Sequence, residues 1–290
     1  MARKSLEFEQ LDADLEAAGS PWERAENPIT ELTEDQRVRR LGVAPPPGEM
    51  TLASAVKSFE EGSMAAVPLG SEIGAPAKID HRSLNGSNYT TPVKNQGSCG
   101  SCVAFASVAV METTHKRKTN QPGLVFDLSE AHMFYCHARS EGQTCSTGWW
   151  PENAFKKARD IGVTYDEHYP YTAGDQDCSG LDNTWKSDLA TVVGYQKLTS
   201  PASMKAWLAT HGSISGCFVV YQDFFSYAPG STGTSAAPPP AVIASRSSAT
   251  TTPSSVGSAR TPGGRAGATR ATSGSGTASA RSRRGRVPGV

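Results

Sequence analysis

The sequence predicts an α+β fold in the middle of the chain, and two observations support this prediction. All 22 aromatic residues (5 Trp, 8 Tyr and 9 Phe) and all six cysteines lie before residue 231, so a core of useful size must form there. Within that part, helical patterns come first and segments rich in Val, Ile and Tyr come later. Such a separation of helices and strands along the chain is typical of α+β proteins.

Two short helices are predicted ahead of this core. Apolar residues recur at helical spacing from Phe8 to Leu15. Thr33 and Gln36 form the capping-box pair that opens a second helix. A Pro-Pro-Pro-Gly run then breaks regular structure. We therefore predict that residues 1–76 are an appended segment that ends in a linker.

From residue 78 onward the sequence has the texture of a folded domain. The stretch 103–111 is apolar on every side, so a helix there must be buried in the centre of the domain. Ser129 and Pro151 are suitable openings for two further helices. Segments bounded by Gly or Ser and rich in β-branched residues indicate strands. The remaining elements are therefore predicted as helices at 130–137 and 152–160 and strands at 189–197 and 214–221.

The net charge of zero is the sum of two unlike parts. The chain has 28 Lys and Arg against 28 Asp and Glu, but residues 231–290 contain no acidic residue and no lysine. This tail therefore carries +8 and the rest of the chain −8, and its composition of Ala, Gly, Ser, Thr, Pro and Arg is typical of a disordered basic segment. The eight charges are arginines at 246, 260, 265, 270, 281, 283, 284 and 286.

The sequence contains two features that point to different cellular compartments. The first residues include an Arg-Lys pair with no apolar run behind it, and no stretch of about 18 apolar residues occurs, so we predict neither a signal peptide nor a transmembrane helix. The six cysteines, however, all lie between Cys99 and Cys217. That density is typical of proteins in an oxidising or extracellular compartment.

The most specific string in the chain, TPVKNQGSCGSCVAFA, runs from Thr91 to Ala106. Cys102 stands at the start of the predicted central helix, where Ser101 can cap the helix and the positive end of the helix dipole favours the thiolate. Gln96, on a glycine-containing loop, can offer its side-chain amide to an oxyanion beside the Cys102 backbone N–H. This is the arrangement of a cysteine acyl-transfer site.

The cysteines also allow two other interpretations. Cys99 and Cys102 could form a thioredoxin-like redox pair, although no βαβ pattern surrounds them. A metal cluster is the other alternative, but the spacing of its candidate ligands matches no common zinc pattern: His132, Cys136, His137 and Cys145. We expect no metal and no cofactor, and we interpret Cys217 as a buried free thiol.

The string around Cys102 resembles the active-site segment of papain-like cysteine peptidases, with Val103 where the family pattern Gln-Gly-x-Cys-Gly-x-Cys-Trp-Ala-Phe has Trp. Further similar motifs follow in the family's order over about residues 78–230: Asp80-His81-Arg82, Leu128-Ser129-Glu130, Cys145 to Trp149 and Tyr169-Pro170-Tyr171. The resemblance implies a two-lobed papain-like α+β fold, with a helical lobe and a β-barrel-like lobe that is incomplete here. It also implies a cysteine-type endopeptidase.

The resemblance implies roles for individual residues as well. Cys102 is the implied nucleophile, Gln96 the oxyanion-hole side chain, and Gly148 with Trp149 the edge of the cleft that binds the substrate backbone. Substrates are expected to be proteins or peptides, and we expect a monomer without nucleic-acid or membrane partners. Two disulfides are implied: Cys99 with Cys145 and Cys136 with Cys178.

The domain boundaries follow from the same resemblance. Residues 77–230 are predicted to be a partial papain-like peptidase domain. Residues 1–76 would then be a pro-segment that covers the cleft in a zymogen, with a plain interaction arm as the alternative. Residues 231–290 form the Arg-rich tail.

The expected catalytic histidine and asparagine are missing. The family supplies them from a Gly-His-Ala-like strand and an Asn-Ser-Trp-Gly segment, both far downstream of the nucleophile. No histidine of this chain follows Tyr227. We therefore expect impaired or absent hydrolysis. The six histidines are His81, His115, His132, His137, His168 and His211.

A change of reading frame would explain the missing residues. Ala, Gly, Pro, Arg and Thr are what GC-rich DNA encodes in an unintended frame. Shifted by one base, codons compatible with 241–243 contain Gly-His, and codons compatible with 259–268 contain Asn-Ser-Trp-Gly. We interpret residues 231–290 as a frameshifted peptidase C-terminus. The alternative is a non-catalytic papain-like binding protein with a disordered basic tail.

Overall fold

The computed structural model describes residues 8–17, 24–45, 47–49, 54, 76, 78–198, 200–218, 220, 222–226, 248–251 and 286–287. Its α-helices are α1 (Phe8–Ala17), α2 (Glu34–Val38), α3 (Cys102–Lys118), α4 (Pro151–Asp160) and α5 (Pro201–Thr210). A π-helix spans His132–Ala138, and 3₁₀ turns span Arg139–Glu141, Asp166–His168, Cys178–Gly180, Trp185–Ser187 and Gln222–Ser226. The strands are β1 (Val163–Thr164), β2 (Leu189–Val192), β3 (Ser215–Phe218), β4 (Ser248–Thr251) and β5 (Arg286–Val287).

Helix α3 is the centre of the core, as its apolar sequence predicts. Every residue of 103–111 is buried, and the helix packs against α4 and the strands β3 and β4. Leu128, Met133 and Trp149 surround it and are at most 1% exposed. Each such side chain contributes about 1.5–3 kcal/mol of burial free energy. Packing of these side chains around α3 therefore fixes the position of Cys102, the first residue of the helix.

The predicted helix at 130–137 is wound differently from expectation. The Ser129 hydroxyl accepts a hydrogen bond from the backbone N–H of His132 at 2.9 Å, so Ser129 opens the helix as predicted. From His132 the chain then winds as a π-helix. This winding brings residues five apart onto one side, and the rings of His132 and His137 lie 4.3 Å apart.

Strand β2 is shorter than its predicted range of 189–197, and the described strands form two small sheets. Strand β2 pairs antiparallel with β1 and parallel with β5, and it ends before the exposed Val193 and Gly194. Strand β3 pairs antiparallel with β4. Although the tail composition predicts no strand, β4 and β5 come from it, because an open strand edge offers unpaired backbone groups. The rest of the tail lies outside the described residues, so its disorder stays a prediction.

The N-terminal helices dock on the stretch 220–226 through a small apolar cluster. The capping box of α2 is present as predicted, since Thr33 accepts from the Gln36 N–H and Gln36 accepts from the Thr33 N–H. The Asn27 side-chain amide donates to the Phe225 carbonyl at 2.9 Å. The cluster consists of Leu11, Ile29, Leu41, Val220 and Phe225. The chain that follows α2 then reaches the loop before the N-terminus of α3.

Most of the predicted linker lies outside the described residues. Within the part of the chain that the structure describes, no helix combines the length and the apolar composition needed to cross a bilayer.

Candidate active site

Cys102 is the first residue of α3 and is completely buried. Its sulfur is a thiol rather than half of a disulfide. The predicted cap by Ser101 is wrong, because the Ser101 side chain makes no capping hydrogen bond. With ψ at 10°, Ser101 lacks the extended backbone of a capping residue, and its hydroxyl lies 2.8 Å from the hydroxyl of Tyr171 instead.

Gln96 lies on the loop before α3 and is 1% exposed. Its side-chain amide donates two hydrogen bonds, one to the Cys99 carbonyl at 2.6 Å and one to the Arg40 carbonyl at 2.7 Å. Both N–H groups of the amide are therefore used. The second acceptor belongs to the N-terminal segment, which follows α2 into the site.

The N-terminal segment also pairs with the backbone of Gly148 and Trp149. The Trp149 N–H donates to the Gly42 carbonyl at 2.8 Å, and the Ala44 N–H donates to the Trp149 carbonyl at 3.0 Å. Val43 forms a parallel bridge with Trp149. Residues 40–44 thus contact Gln96 and the Gly148–Trp149 edge together.

Glycine is required on both sides of this contact. A Cβ atom on Gly42 would lie 1.9 Å from the Gly100 carbonyl oxygen, and one on Gly148 would lie 2.2 Å from the Gly42 oxygen. Gly148 also has φ at +75°, a conformation that favours glycine. Residues 40–44 were not predicted as part of the site, because backbone groups make these contacts and leave no mark on the side-chain sequence.

The structure has both disulfides that the resemblance implies, Cys99–Cys145 and Cys136–Cys178. The first bond joins the loop before α3 to the loop that leads to Gly148, and the Gly100 N–H donates to the Cys145 carbonyl at 2.9 Å beside it. Because Cys99 is bonded to Cys145, the alternative of a Cys99–Cys102 redox pair is wrong. The disulfide instead fixes the two edges of the site to each other.

Cys217 lies on β3 and is partly buried, where the sequence predicts a buried free thiol. Burial, with a smaller contribution from Cys102, raises the pKa of the Cys217 thiol to about 12. It therefore stays protonated at neutral pH.

All six histidines contact other side chains or backbone, but neither ring nitrogen of His81 nor Nδ1 of His115 has a hydrogen-bond partner among the described residues. Two of them, His132 and His137, are candidate ligands of the alternative metal cluster, and both make contacts within the core. His132 accepts a hydrogen bond from the Thr164 N–H at 3.1 Å, and a ring nitrogen of His137 lies 2.8 Å from the Gly162 carbonyl oxygen. The other four are His81 beside the Leu208 and Gly212 backbone, His115 stacked on Phe126, His168 between Asp182 and Asp188, and His211 stacked on Trp207.

A buried ionic cluster supports α3 behind the site. The Lys94 ammonium lies 2.8 Å from Glu130 and 2.5 Å from Asp127. Glu112, on α3, accepts a hydrogen bond from the Leu128 N–H at 3.0 Å. Although burial opposes it, the surrounding carboxylates raise the pKa of Lys94 above its ordinary value, so this lysine stays charged.

Comparison with known proteins decides the family. The sequence profile described as "Papain family cysteine protease" matches residues 75–239, more than half of the chain. The chain belongs to the papain family. The match overlaps the range 77–230 predicted for the peptidase domain.

Curated relatives of this papain-family chain match a shorter region. It is 36% identical over 134 residues to the senescence-specific cysteine protease SAG39 of Oryza sativa subsp. indica, which covers 46% of this chain and 36% of that protein. It is 40% identical over 105 residues to cathepsin K of Gallus gallus, which covers 36% of this chain and 29% of that protein. The chain thus spans about a third of the length of the curated relatives it matches.

Solved structures confirm the two-lobed papain-like α+β fold. Procathepsin B S9 from Trypanosoma congolense has a TM-score of 0.62 at 18% identity and covers 86% of this chain and 82% of its own. Digestive procathepsin L2 from the Tenebrio molitor larval midgut has a TM-score of 0.60 at 24% identity, covering 85% and 74%. Both are proforms by description, and at these identities they show the fold alone.

Proposed function

We propose that this papain-family chain is a cysteine peptidase in a proform, with residues 1–76 as its pro-segment, residues 77–230 as its partial peptidase domain and Cys102 as its nucleophile. One observation carries the proposal: the backbone of residues 40–44 already accepts from the Gln96 amide and pairs with the backbone of Trp149. A site that binds one peptide backbone in this way is suited to bind others. Substrates of the uncovered cleft are therefore proteins or peptides.

The chemistry follows from the donors around Cys102. The thiolate attacks the carbonyl carbon of a bound peptide, a C–S bond forms, and the carbonyl electron pair moves to oxygen. The Gln96 amide, freed from the Arg40 carbonyl, and the Cys102 N–H at the helix N-terminus stabilise that oxyanion. When the C–N bond breaks, the amine leaves with a proton and a thioester remains, which water hydrolyses.

We further propose that this chain cleaves the C–N bond and hydrolyses the thioester slowly. The leaving amine needs a general acid, which the family takes from a histidine. No histidine follows Tyr227 in the sequence, where the family's catalytic histidine is expected. In this proposal residues 231–290 are a frameshifted reading of the segment that carries the missing His and Asn.

The test compares three proteins with a generic peptide substrate. They are the chain as given, its Cys102→Ala variant, and the product of a gene whose frame is shifted by one base near codon 229, each assayed after limited proteolysis has removed the proposed pro-segment, residues 1–76. We expect turnover only from the shifted product, and only with Cys102 present. Turnover by the chain as given that Cys102→Ala abolishes would contradict the impairment, and an inactive shifted product would contradict the frameshift.

A non-catalytic peptide-binding role is the second candidate, and the lack of a histidine after Tyr227 favours it. In that case the chain binds peptides in the cleft with equal affinity before and after Cys102→Ala, and the basic tail acts as an anion-binding arm. Salt-sensitive nucleic-acid binding that is lost on deleting 231–290 would support this candidate.

The two disulfides support an oxidising compartment. Disulfides persist in exported proteins and are reduced in the cytosol. We propose such a compartment for this chain.

A further inference from the structure

We propose that Tyr171 is a positioning residue that fixes the Gln96 loop relative to the start of α3. The inference rests on the proposed function, because it assigns Tyr171 a part in shaping the pocket for the oxyanion.

The Tyr171 hydroxyl joins two points on either side of the glycine loop. It donates a hydrogen bond to the backbone carbonyl of Gln96 at 2.9 Å. It also lies 2.8 Å from the hydroxyl of Ser101. Since its own proton goes to Gln96, the Ser101 hydroxyl donates to the Tyr171 oxygen. One hydroxyl therefore connects the residue that carries the oxyanion donor to the residue immediately before Cys102.

The ring that carries this hydroxyl is itself held in place. It stacks on Tyr135 with ring centroids 5.4 Å apart and an angle of 15°. It also meets the edge of Phe105, on α3, at 4.7 Å. Burial raises the pKa of Tyr171, so the hydroxyl keeps its proton and stays a donor. The geometry is that of a rigid brace rather than of a surface contact.

Loss of the hydroxyl would leave two groups without this partner. Gln96 and Ser101 are almost completely buried, and a buried polar group that loses its hydrogen bond is costly. The loop would shift to satisfy them, and the Gln96 amide would move with it. Small displacements of such donors strongly weaken oxyanion stabilisation.

The experiment measures oxyanion binding without requiring turnover. The probes are a peptide aldehyde and the matching peptide alcohol, and the protein is the full chain. The Cys102 sulfur adds to the aldehyde carbon, and the thiol proton goes to the oxygen, which lies where an oxyanion would form. The alcohol binds without this bond. Residues 40–44 compete with both probes, so the ratio of the two affinities reports the pocket itself.

We expect Tyr171→Phe to lower the aldehyde-to-alcohol affinity ratio about tenfold. The matched control is Tyr89→Phe, which removes the hydroxyl of another buried tyrosine, one that donates to the side-chain oxygen of Asn120 at 2.7 Å and has no part in the Gln96–Ser101 contact. It should leave the ratio unchanged. Ser101→Ala removes one of the two hydrogen bonds and should give a smaller loss, of about threefold; it also serves as the test if Tyr171→Phe fails to fold.

Two outcomes overturn the positioning role. One is an unchanged ratio in both Tyr171→Phe and Ser101→Ala. The other is an equal loss of affinity for aldehyde and alcohol, which indicates a merely structural residue. Failure of the proposed function looks different: the unmodified chain would then show no aldehyde preference that Cys102→Ala removes, and the role of Tyr171 would fall with it.

Discussion

The side-chain amide of Gln96 donates a hydrogen bond of 2.7 Å to the backbone carbonyl of Arg40, a residue 56 positions earlier in the chain. Two residues further on, Gly42 pairs with the backbone of Trp149. The N-terminal segment thus uses the same donors and acceptors that the proposed mechanism assigns to a substrate. Cys102, next to these groups, is completely buried. We propose that this contact lets the segment cover Cys102.

Gly42→Ala should uncover Cys102. The new Cβ would lie 1.9 Å from the backbone oxygen of Gly100, a clash that movement of the segment would relieve. We expect the rate of Cys102 alkylation by iodoacetamide to rise about tenfold or more, as measured by peptide mass spectrometry. The control is Gly123→Ala, where a Cβ meets nothing within 4 Å. Equal rates in the two variants would show that residues 40–44 do not cover the thiol.

Removing the disulfide beside the site should destabilise the domain. Cys99 and Cys145 are 46 residues apart, and a cross-link over such a loop contributes about 4 kcal/mol by restricting the unfolded chain. The double variant Cys99→Ala/Cys145→Ala should lose about that much free energy of unfolding in urea titrations. Cys217→Ala, which removes a thiol outside any disulfide, is the matched control. A loss no larger than that of the control would be the contrary result.

Acid should destabilise the fold through His132. Burial, with a smaller effect of His137, lowers the pKa of His132 to about 3 from an ordinary value of 6.5. A depressed pKa in the folded state gives stability that is present above 6.5 and is lost as the pH falls toward 3. We expect a loss of about 4 kcal/mol over that range. His132→Asn keeps an acceptor for the Thr164 N–H and should flatten the acid side of the stability curve.

His168 is a control, because its contribution to stability should change with pH in the opposite direction to that of His132. Partial burial alone would lower the pKa of His168, but hydrogen bonds to Asp182 and Asp188 outweigh this effect and raise it. Its contribution is therefore present below pH 6.5 and lost as the pH rises through the raised pKa. His168→Asn should cost more stability at pH 5 than at pH 8, as measured by urea unfolding. If His132→Asn lost as much unfolding free energy at acid pH as the unmodified chain does, the acid sensitivity would not come from His132.

The sequence could predict the features that depend on local pattern. The capping box of Thr33 and Gln36 is a short-range arrangement, and it is present. The apolar run after Cys102 has no polar side, so its central position follows from burial alone. The string around Gln96 and Cys102 was sufficient to identify the family and, through the resemblance, both disulfide pairings.

Long-range contacts could not be predicted in this way. The acceptor for Gln96 is a backbone carbonyl, and a backbone carbonyl leaves no mark on the side-chain sequence. Ser101 has the residue type of a helix cap, but Tyr171, 70 positions away, supplies the competing partner. Strand β4 needs only backbone groups to pair with β3, so its composition gave no signal.

Thiol mapping with a peptide-directed epoxide tests the central claim most directly. The claim is that Cys102 is the nucleophile of a peptide-binding cleft that residues 40–44 cover. The reagent would be applied to the full chain and to Gly42→Ala, and the modified cysteine identified by mass spectrometry. We predict modification at Cys102, faster in Gly42→Ala, with Cys217 untouched. Modification at Cys217 instead, or labelling of Cys102 at the same rate in both proteins, would contradict the account.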